Sequence, residues 1–291
     1  MSTSPAPAPL LAVGQMNASS DVEENFATCT QLVKKAQARH VSVLSLPECF
    51  AFMGEKDTDL LDFAKPTDSD LVQRYQKLAK DHGIWLSLGG LQAIDERALT
   101  DEKVKSINAH LLINAEGEVV EQYNKIHLFD VDIPGGPRLL ESIATYSGER
   151  IVVADSPVGK LGLSVCYDLR FPELYLAMNR MGATCMLVPA AFTLETGKEH
   201  WEVLLRARAI ENQCYVAAAA QRGKHNSRRY SYGHAMIVDP WGTVVAQCTD
   251  RTDICVAEID PDFVANVRQR MPLWQHRHPD LYGEVGLPAK G

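Results

Sequence analysis

At 291 residues, with 46% apolar and 23% charged residues, the chain can bury a substantial core and sits near the upper size of a single domain. A formal net charge of −8 would repel a phosphate backbone, and the Arg228-Arg229 pair is too short for a nucleic-acid patch. No stretch approaches the roughly 18 to 20 consecutive apolar residues of a membrane-spanning helix, so neither nucleic acid nor membrane is an expected partner.

The chain opens with a Ser/Pro/Ala segment, residues 1–9, that carries no basic residue before Lys34 and reads as a disordered tail rather than a targeting signal. Leu10 to Gln15 predicts a strand. Ser20 with Glu23 predicts a capping box and a helix through about Arg39. Val41 to Leu46 is a second apolar run stopped by Pro47, followed by a helix over Leu71 to His82 and a strand over Ile84 to Leu91. Ala109 to Ile113 and Val119 to Tyr123 flank the turn cluster Asn114-Ala-Glu-Gly117, a hairpin that ends just before Lys125. Leu161 to Val165 predicts a buried strand, and Pro172 suits the first turn of a helix to about Met181, so Cys166 falls in a strand-to-helix turn.

Cys185 to Val188 predicts the next strand. His200 to Gln213 predicts a helix with an apolar stripe at Val203, Ala207 and Ile210, and Tyr215 to Ala219 a further strand. His234 to Val238 and Val244 to Gln247 flank Asp239-Pro-Trp-Gly242, another hairpin, and Ile254 to Glu258 precedes a terminal helix. An internal echo links Leu46-Pro47-Glu48-Cys49-Phe50 with Val188-Pro189-Ala190-Ala191-Phe192, since both follow an apolar strand. Two similar strand/helix halves, each with a hairpin, predict an α/β fold of two packed sheets with helices outside. We expect one domain over residues 10–285, with a short tail over 286–291.

The seven cysteines are an odd, scattered set without a C-x-x-C pair, which fits a reducing compartment; the expected location is the cytoplasm, with a mitochondrial form as the alternative. His276-x-His278 has no cysteine or carboxylate cluster to complete a tetrahedral set, so no metal site is expected.

Three reactive side chains stand at strand ends, where active-site groups of α/β folds gather: Glu48, Lys125 and Cys166. Each alone has a plain structural explanation, as a solvated loop carboxylate, a surface lysine or an inert buried thiol. Cys29, Cys185 and Cys255 fall within helix or strand patterns and read as small core residues, which leaves Cys49 as the competitor of Cys166. The absence of a G-x-S-x-G elbow argues against serine hydrolase chemistry, and papain-like chemistry lacks a histidine in a recognisable partner motif.

Taken together, Pro47-Glu48, the segment Tyr123-Asn-Lys125-Ile-His-Leu-Phe and Cys166-Tyr-Asp-Leu-Arg-Phe-Pro-Glu173 resemble the three signature blocks of the nitrilase superfamily, along nearly the whole chain. The resemblance implies a four-layer αββα sandwich and a Glu48-Lys125-Cys166 triad. Asp130-Val-Asp-Ile-Pro134, His200 to Glu211, Ser231-Tyr-Gly-His234 and Asp239-Pro-Trp-Gly242 are similar to the Nit branch, the deaminated glutathione amidases. That likeness implies hydrolysis of a linear amide to 2-oxoglutarate and cysteinylglycine, with an ω-amidase acting on 2-oxoglutaramate as the alternative. It also implies Glu141 as a supporting carboxylate and a homo-oligomer, dimer or tetramer. A histidine-triad nucleotide hydrolase is the one protein partner it suggests.

On this reading Glu48 takes the thiol proton of Cys166, while Lys125 and the Tyr167 backbone N–H hold the oxyanion, with no metal or organic cofactor. A substrate bearing carboxylates motivates Arg170, or Arg228 and Arg229, as anion contacts, and structural ion pairs explain these arginines equally well. Phe192 and Thr193, at the end of the second echo segment, complete the candidate contacts.

Overall fold

The computed structural model describes residues 8–55, 59–95, 97, 105–132 and 138–284. Its first half runs β1 (Leu10–Met16), α1 (Val22–Gln37), β2 (Val43–Leu46), α2 (Asp59–Phe63), α3 (Asp70–His82), β3 (Trp85–Ile94), β4 (Ser106–Ile113) and β5 (Val119–Asn124). A small hairpin of β6 (Asp130–Asp132) and β7 (Arg138–Leu140) follows. The second half runs β8 (Val153–Ser156), β9 (Gly159–Leu163), α4 (Pro172–Arg180), β10 (Cys185–Leu187), α5 (Leu194–Asn212), β11 (Tyr215–Ala218), β12 (Ala220–Lys224), β13 (Tyr230–Tyr232), β14 (Met236–Val238) and β15 (Val244–Gln247). Closing the chain are β16 (Asp253–Glu258), α6 (Pro261–Arg270) and α7 (Pro279–Tyr282).

Two sheets result, an eight-stranded one in the order β13-β12-β1-β2-β3-β4-β5 with β16 beside β1, and a six-stranded one in the order β15-β14-β11-β10-β9-β8. The expected two-half arrangement is visible in their pairing. β1, β2 and β3 run parallel, then β4 and β5 pair antiparallel; β9, β10 and β11 run parallel, then β14 and β15 pair antiparallel. Helices α1 and α3 cover the outer face of the first sheet, and α4 and α5 that of the second, which makes the four-layer αββα sandwich.

Alternation along β1 assigns the two faces. Leu11 and Val13 point between the sheets and pack with Leu161, Leu163 and Val188, while Ala12 and Met16 pack under α1 with Cys29, Leu32 and Val33. Gly89 is required where β3 meets the Pro189 segment: a Cβ there would stand 2.0 Å from the Pro189 ring and 2.3 Å from the Leu46 carbonyl.

Three local expectations need correction. The N-cap of α1 is Asp21, whose carboxylate accepts from the N–H groups of Glu23 and Glu24 at 2.9 and 3.0 Å, whereas the Ser20 expected at that place has no capping role. Helix α5 starts six residues before His200, on the N-cap Thr193, and its buried face is Trp201, Leu205, Arg208, Ala209 and Asn212. The stripe expected to be buried points outward, with Val203 67% and Ile210 48% exposed. Lastly, Pro9 belongs to the body, since its carbonyl accepts from Ile259 N–H at 3.0 Å. Residues 1–7 and 286–291, the bulk of the two expected tails, lie outside the described residues, as does Pro134.

Candidate active site

The carboxyl end of β2 carries Glu48, and backbone constraints decide where its side chain goes. Cys49 N–H donates to the Gly90 carbonyl at 3.0 Å, and the Gln221 amide donates to the Glu48 carbonyl at 3.0 Å. Gly90 has φ +113°, and a Cβ there would meet Glu48 Cγ at 3.0 Å and Asn108 Oδ1 at 2.8 Å. Only glycine gives the carboxylate room to lie over β3. Glu48 is 5% exposed.

Lys125 follows the last residue of β5. Its N–H donates to the Asn108 carbonyl at 2.9 Å and its carbonyl accepts from Gly148 N–H at 2.8 Å, so the main chain is pinned on both sides. The ammonium lies 3.0 Å from Glu48 Oε1 and 2.8 Å from Glu141 Oε2, with side-chain exposures of 2%, 7% and 15% for Lys125, Glu48 and Glu141. Burial opposes its charge, but Glu141 and Glu48 outweigh that and hold Lys125 well above the ordinary lysine value. Glu141 is itself oriented by Phe129 N–H, which donates to Oε2 at 2.7 Å.

Asn108, on β4, spans the two carboxylates: Nδ2 donates to Glu48 Oε1 at 3.0 Å and to Glu141 Oε1 at 3.3 Å. The sequence reading missed it. A signal existed, because Ser106, Asn108 and His110 fall on one face of a strand that is buried along its whole length, and polar residues at period two inside such a strand need partners.

Cys166 opens a short 3-10 turn, Cys166–Arg170, between β9 and α4, as expected for a strand-to-helix turn. Its φ of +49° lies in the left-handed region, which costs a non-glycine residue about 1 kcal/mol or more. Cys166 N–H donates to the Pro189 carbonyl at 2.8 Å. Burial pushes the thiol well above its ordinary value, the Glu48 carboxylate adds to this, and the Lys125 ammonium opposes it. The Ala191 N–H beside the thiol donates to Glu48 Oε2 at 3.2 Å. Cys49 also has positive φ, +57°, and burial pushes its thiol up to about 12, with Glu48 and Lys125 as nearby charges. What sets Cys166 apart is its place, at the start of the strand-to-helix turn and held to the Pro189 carbonyl next to the Ala191 N–H that grips Glu48.

The structure separates the remaining candidates. Tyr167 sets its ring edge-on to Phe129 and Phe171, with centroids 5.0 and 5.4 Å away. Arg170 lies beside the rings of Tyr167 and Phe192, 5.8 and 5.3 Å from their centroids, and donates to His200 Nδ1 at 3.2 Å. Among the described residues no carboxylate lies within ion-pair distance of it. Phe192 is buried against Trp201. Thr193 serves as the α5 cap, accepting from Thr196 N–H at 3.4 Å. The two adjacent arginines part company: Arg229 reaches back to Met53 Sδ at 3.7 Å, while Arg228 is exposed.

Comparisons with known proteins follow the same lines. The carbon-nitrogen hydrolase family profile matches residues 10–269. The chain is 49% identical over 273 residues to the nitrilase and fragile histidine triad fusion protein NitFhit of Caenorhabditis elegans, covering 94% of this chain and spanning 61% of that protein's length. It is 46% identical over 290 residues to the deaminated glutathione amidase of Homo sapiens, covering 99% of this chain and 88% of that one. Among solved structures, Saccharomyces cerevisiae Nit3, a member of branch 10 of the nitrilase superfamily, superposes with a TM-score of 0.82 at 30% identity, covering 94% of this chain and 98% of that one.

Proposed function

The chain belongs to the carbon-nitrogen hydrolase family, and from that premise we propose that it cleaves a linear amide through a Cys166 thioester, with deaminated glutathione as substrate. The observation that carries this reading is the buried cluster in which one ammonium, Lys125, stands between two carboxylates, Glu48 and Glu141, with the Cys166 thiol near enough to feel the charges of Lys125 and Glu48.

The chemistry follows from charge. The resting cluster already holds two anions and one cation, so a free thiolate would add a third buried negative charge, and the raised thiol agrees with that cost. Glu48 therefore takes the proton as sulfur attacks the amide carbon, which moves negative charge onto the carbonyl oxygen instead of leaving it on sulfur. Lys125 and the Tyr167 N–H stabilise that oxygen, and losing one such donor typically costs about 2.7 to 4 kcal/mol. Protonated Glu48 returns the proton to the leaving amine, the C–N bond breaks, and a thioester remains on Cys166. Water then attacks the thioester with Glu48 again as base, releasing the acid and restoring the thiol. Glu141 keeps Lys125 charged and still.

Arg170 is the side chain we assign to a substrate carboxylate, because its guanidinium is half-buried beside two rings and bonded to His200, with no carboxylate at ion-pair distance among the described residues. Release of 2-oxoglutarate from deaminated glutathione, with 2-oxoglutaramate in parallel, tests the substrate. We expect preference for deaminated glutathione, loss of both activities in Cys166→Ala, and a KM raised about tenfold in Arg170→Ala. Preference for 2-oxoglutaramate would move the chain to ω-amidase activity.

A histidine-triad partner is a second reading, supported by the fusion architecture of the C. elegans relative; co-sedimentation with a histidine-triad hydrolase tests it. A homo-oligomer is supported by the outward Val203, Ile210 and Trp241, 67%, 48% and 54% exposed on α5 and the adjoining hairpin. A reducing compartment such as the cytoplasm suits the seven free thiols.

A further inference from the structure

We propose that Asp168 is a positioning residue that fixes the distance between the oxyanion lysine and the nucleophilic cysteine, an inference that rests on the triad reading above. Asp168 is wholly buried, and its carboxylate receives four hydrogen bonds from the two segments that carry these groups. From the Lys125 segment, Tyr123 Oη donates to Oδ2 at 2.7 Å, His127 N–H to Oδ1 at 3.0 Å and the His127 ring to Oδ1 at 2.7 Å. From the Cys166 segment, Val165 N–H donates to Oδ2 at 2.8 Å.

Tyr123 and His127 stand two residues either side of Lys125, and Val165 and Asp168 bracket Cys166. A single carboxylate thus joins a strand end of the first sheet to the turn of the second. Its grip is rigid on both sides. The Tyr123 hydroxyl also accepts from Ile126 N–H at 3.2 Å, and the His127 ring stacks on Phe171 at 3.7 Å between centroids. From behind, the Arg208 guanidinium donates to the Leu169 carbonyl at 3.1 and 2.8 Å, holding the turn from α5. Asp168 touches neither substrate nor reacting atoms in this arrangement; it acts through Lys125 and Cys166.

The donor count explains why the residue is an aspartate. Each oxygen faces two donors, and at least one donor on each oxygen is a backbone N–H, which cannot reverse its polarity. An asparagine amide in the same place meets an N–H with an N–H on one side or the other, whichever way it is turned. The segment on that side must move away, and a displacement of about 1 Å between reacting groups can cost on the order of 100-fold in rate.

The test compares Asp168→Asn, Tyr123→Phe and Ser87→Ala with the native enzyme, measuring kcat, KM and Tm on one substrate, with Cys166→Ala as the blank. Ser87 lies in a buried hydrogen-bonded chain, Ser45-Ser87-His110-Ser164, that among the described residues shares no hydrogen bond with Glu48, Lys125, Glu141 or Cys166, and it reports what loss of stability alone does. We expect Asp168→Asn to lose about 100-fold in kcat with KM within about threefold of native. Tyr123→Phe should lose about threefold to tenfold in kcat, and Ser87→Ala should lower Tm without lowering kcat. A folded Asp168→Asn with native kcat, or kcat that merely follows Tm across all three variants, overturns the proposal. If Asp168→Asn does not fold, Tyr123→Phe decides it, since unchanged kcat there also overturns it. An active Cys166→Ala would instead overturn the triad reading.

Discussion

The two halves of the sandwich share a plan, but their equivalent strand ends do different work. After β2 the chain reads Pro47-Glu48-Cys49, and after β10 it reads Pro189-Ala190-Ala191. The first delivers a carboxylate and the second delivers a backbone N–H to receive it, Ala191 to Glu48 at 3.2 Å. Lys125 belongs to the first half and Cys166 to the second, so the site exists only where the two sheets meet. Similar folding units, packed face to face, thus assemble a charged site that neither holds alone.

A second polar system crosses the same interface and is neutral. Ser45 and Ser87 pair at 3.0 Å, Ser87 meets His110 Nε2 at 2.7 Å, and His110 Nδ1 meets the Ser164 carbonyl at 3.0 Å. It ties the halves together without offering a reactive group to substrate. Burial lowers the His110 pKa to about 4 from an ordinary 6.5.

The sharpest way to break the division of labour is Lys125→Ala. It removes the first half's cation and leaves two buried carboxylates without it, so we expect turnover to fall about 1000-fold and stability by about 3 to 5 kcal/mol. Steady-state kinetics and chemical denaturation read these separately. Gly90→Ala is subtler, since the new Cβ would press on Glu48 Cγ and Asn108. A fall of about 100-fold in kcat is expected, and native kcat in this variant would mean that the Glu48 placement is not critical.

The neutral system gives the smallest effect. His110 stays uncharged in the fold while the unfolded chain gains a proton below pH 6.5, so stability is complete above that pH and declines as pH falls toward about 4. The loss over this window is on the order of 3 kcal/mol. Denaturation midpoints at pH 7.5 and pH 4.5 should converge in His110→Gln relative to the native chain, with activity at neutral pH little changed.

Much of this architecture was readable from residues. Apolar runs placed the core strands, Pro172 and the Leu161 run placed the Cys166 turn, and the echo between residues 46–50 and 188–192 marked two strand ends that turn out to face each other. Where the reading failed, the cause was polar groups used inside. On α5 the buried face includes Arg208 and Asn212, so the apolar stripe Val203-Ala207-Ile210 pointed to the wrong side. Asn108 and Asp168 were overlooked because a polar residue in a strand or turn reads as solvated until its donors, brought from distant segments, are seen. The Arg228-Arg229 pair was legible as charge, but only the loop geometry that separates the two decided that Arg228 faces solvent.

The most direct test of the central claim is the turnover of Glu48→Gln, an almost isosteric change that keeps the side chain's size and removes its basicity. We expect a folded protein whose kcat falls by about 100-fold to 10,000-fold, because Glu48 is the base in both half-reactions. A folded Glu48→Gln with kcat within about threefold of native would contradict it and leave the buried carboxylate a structural partner of Lys125.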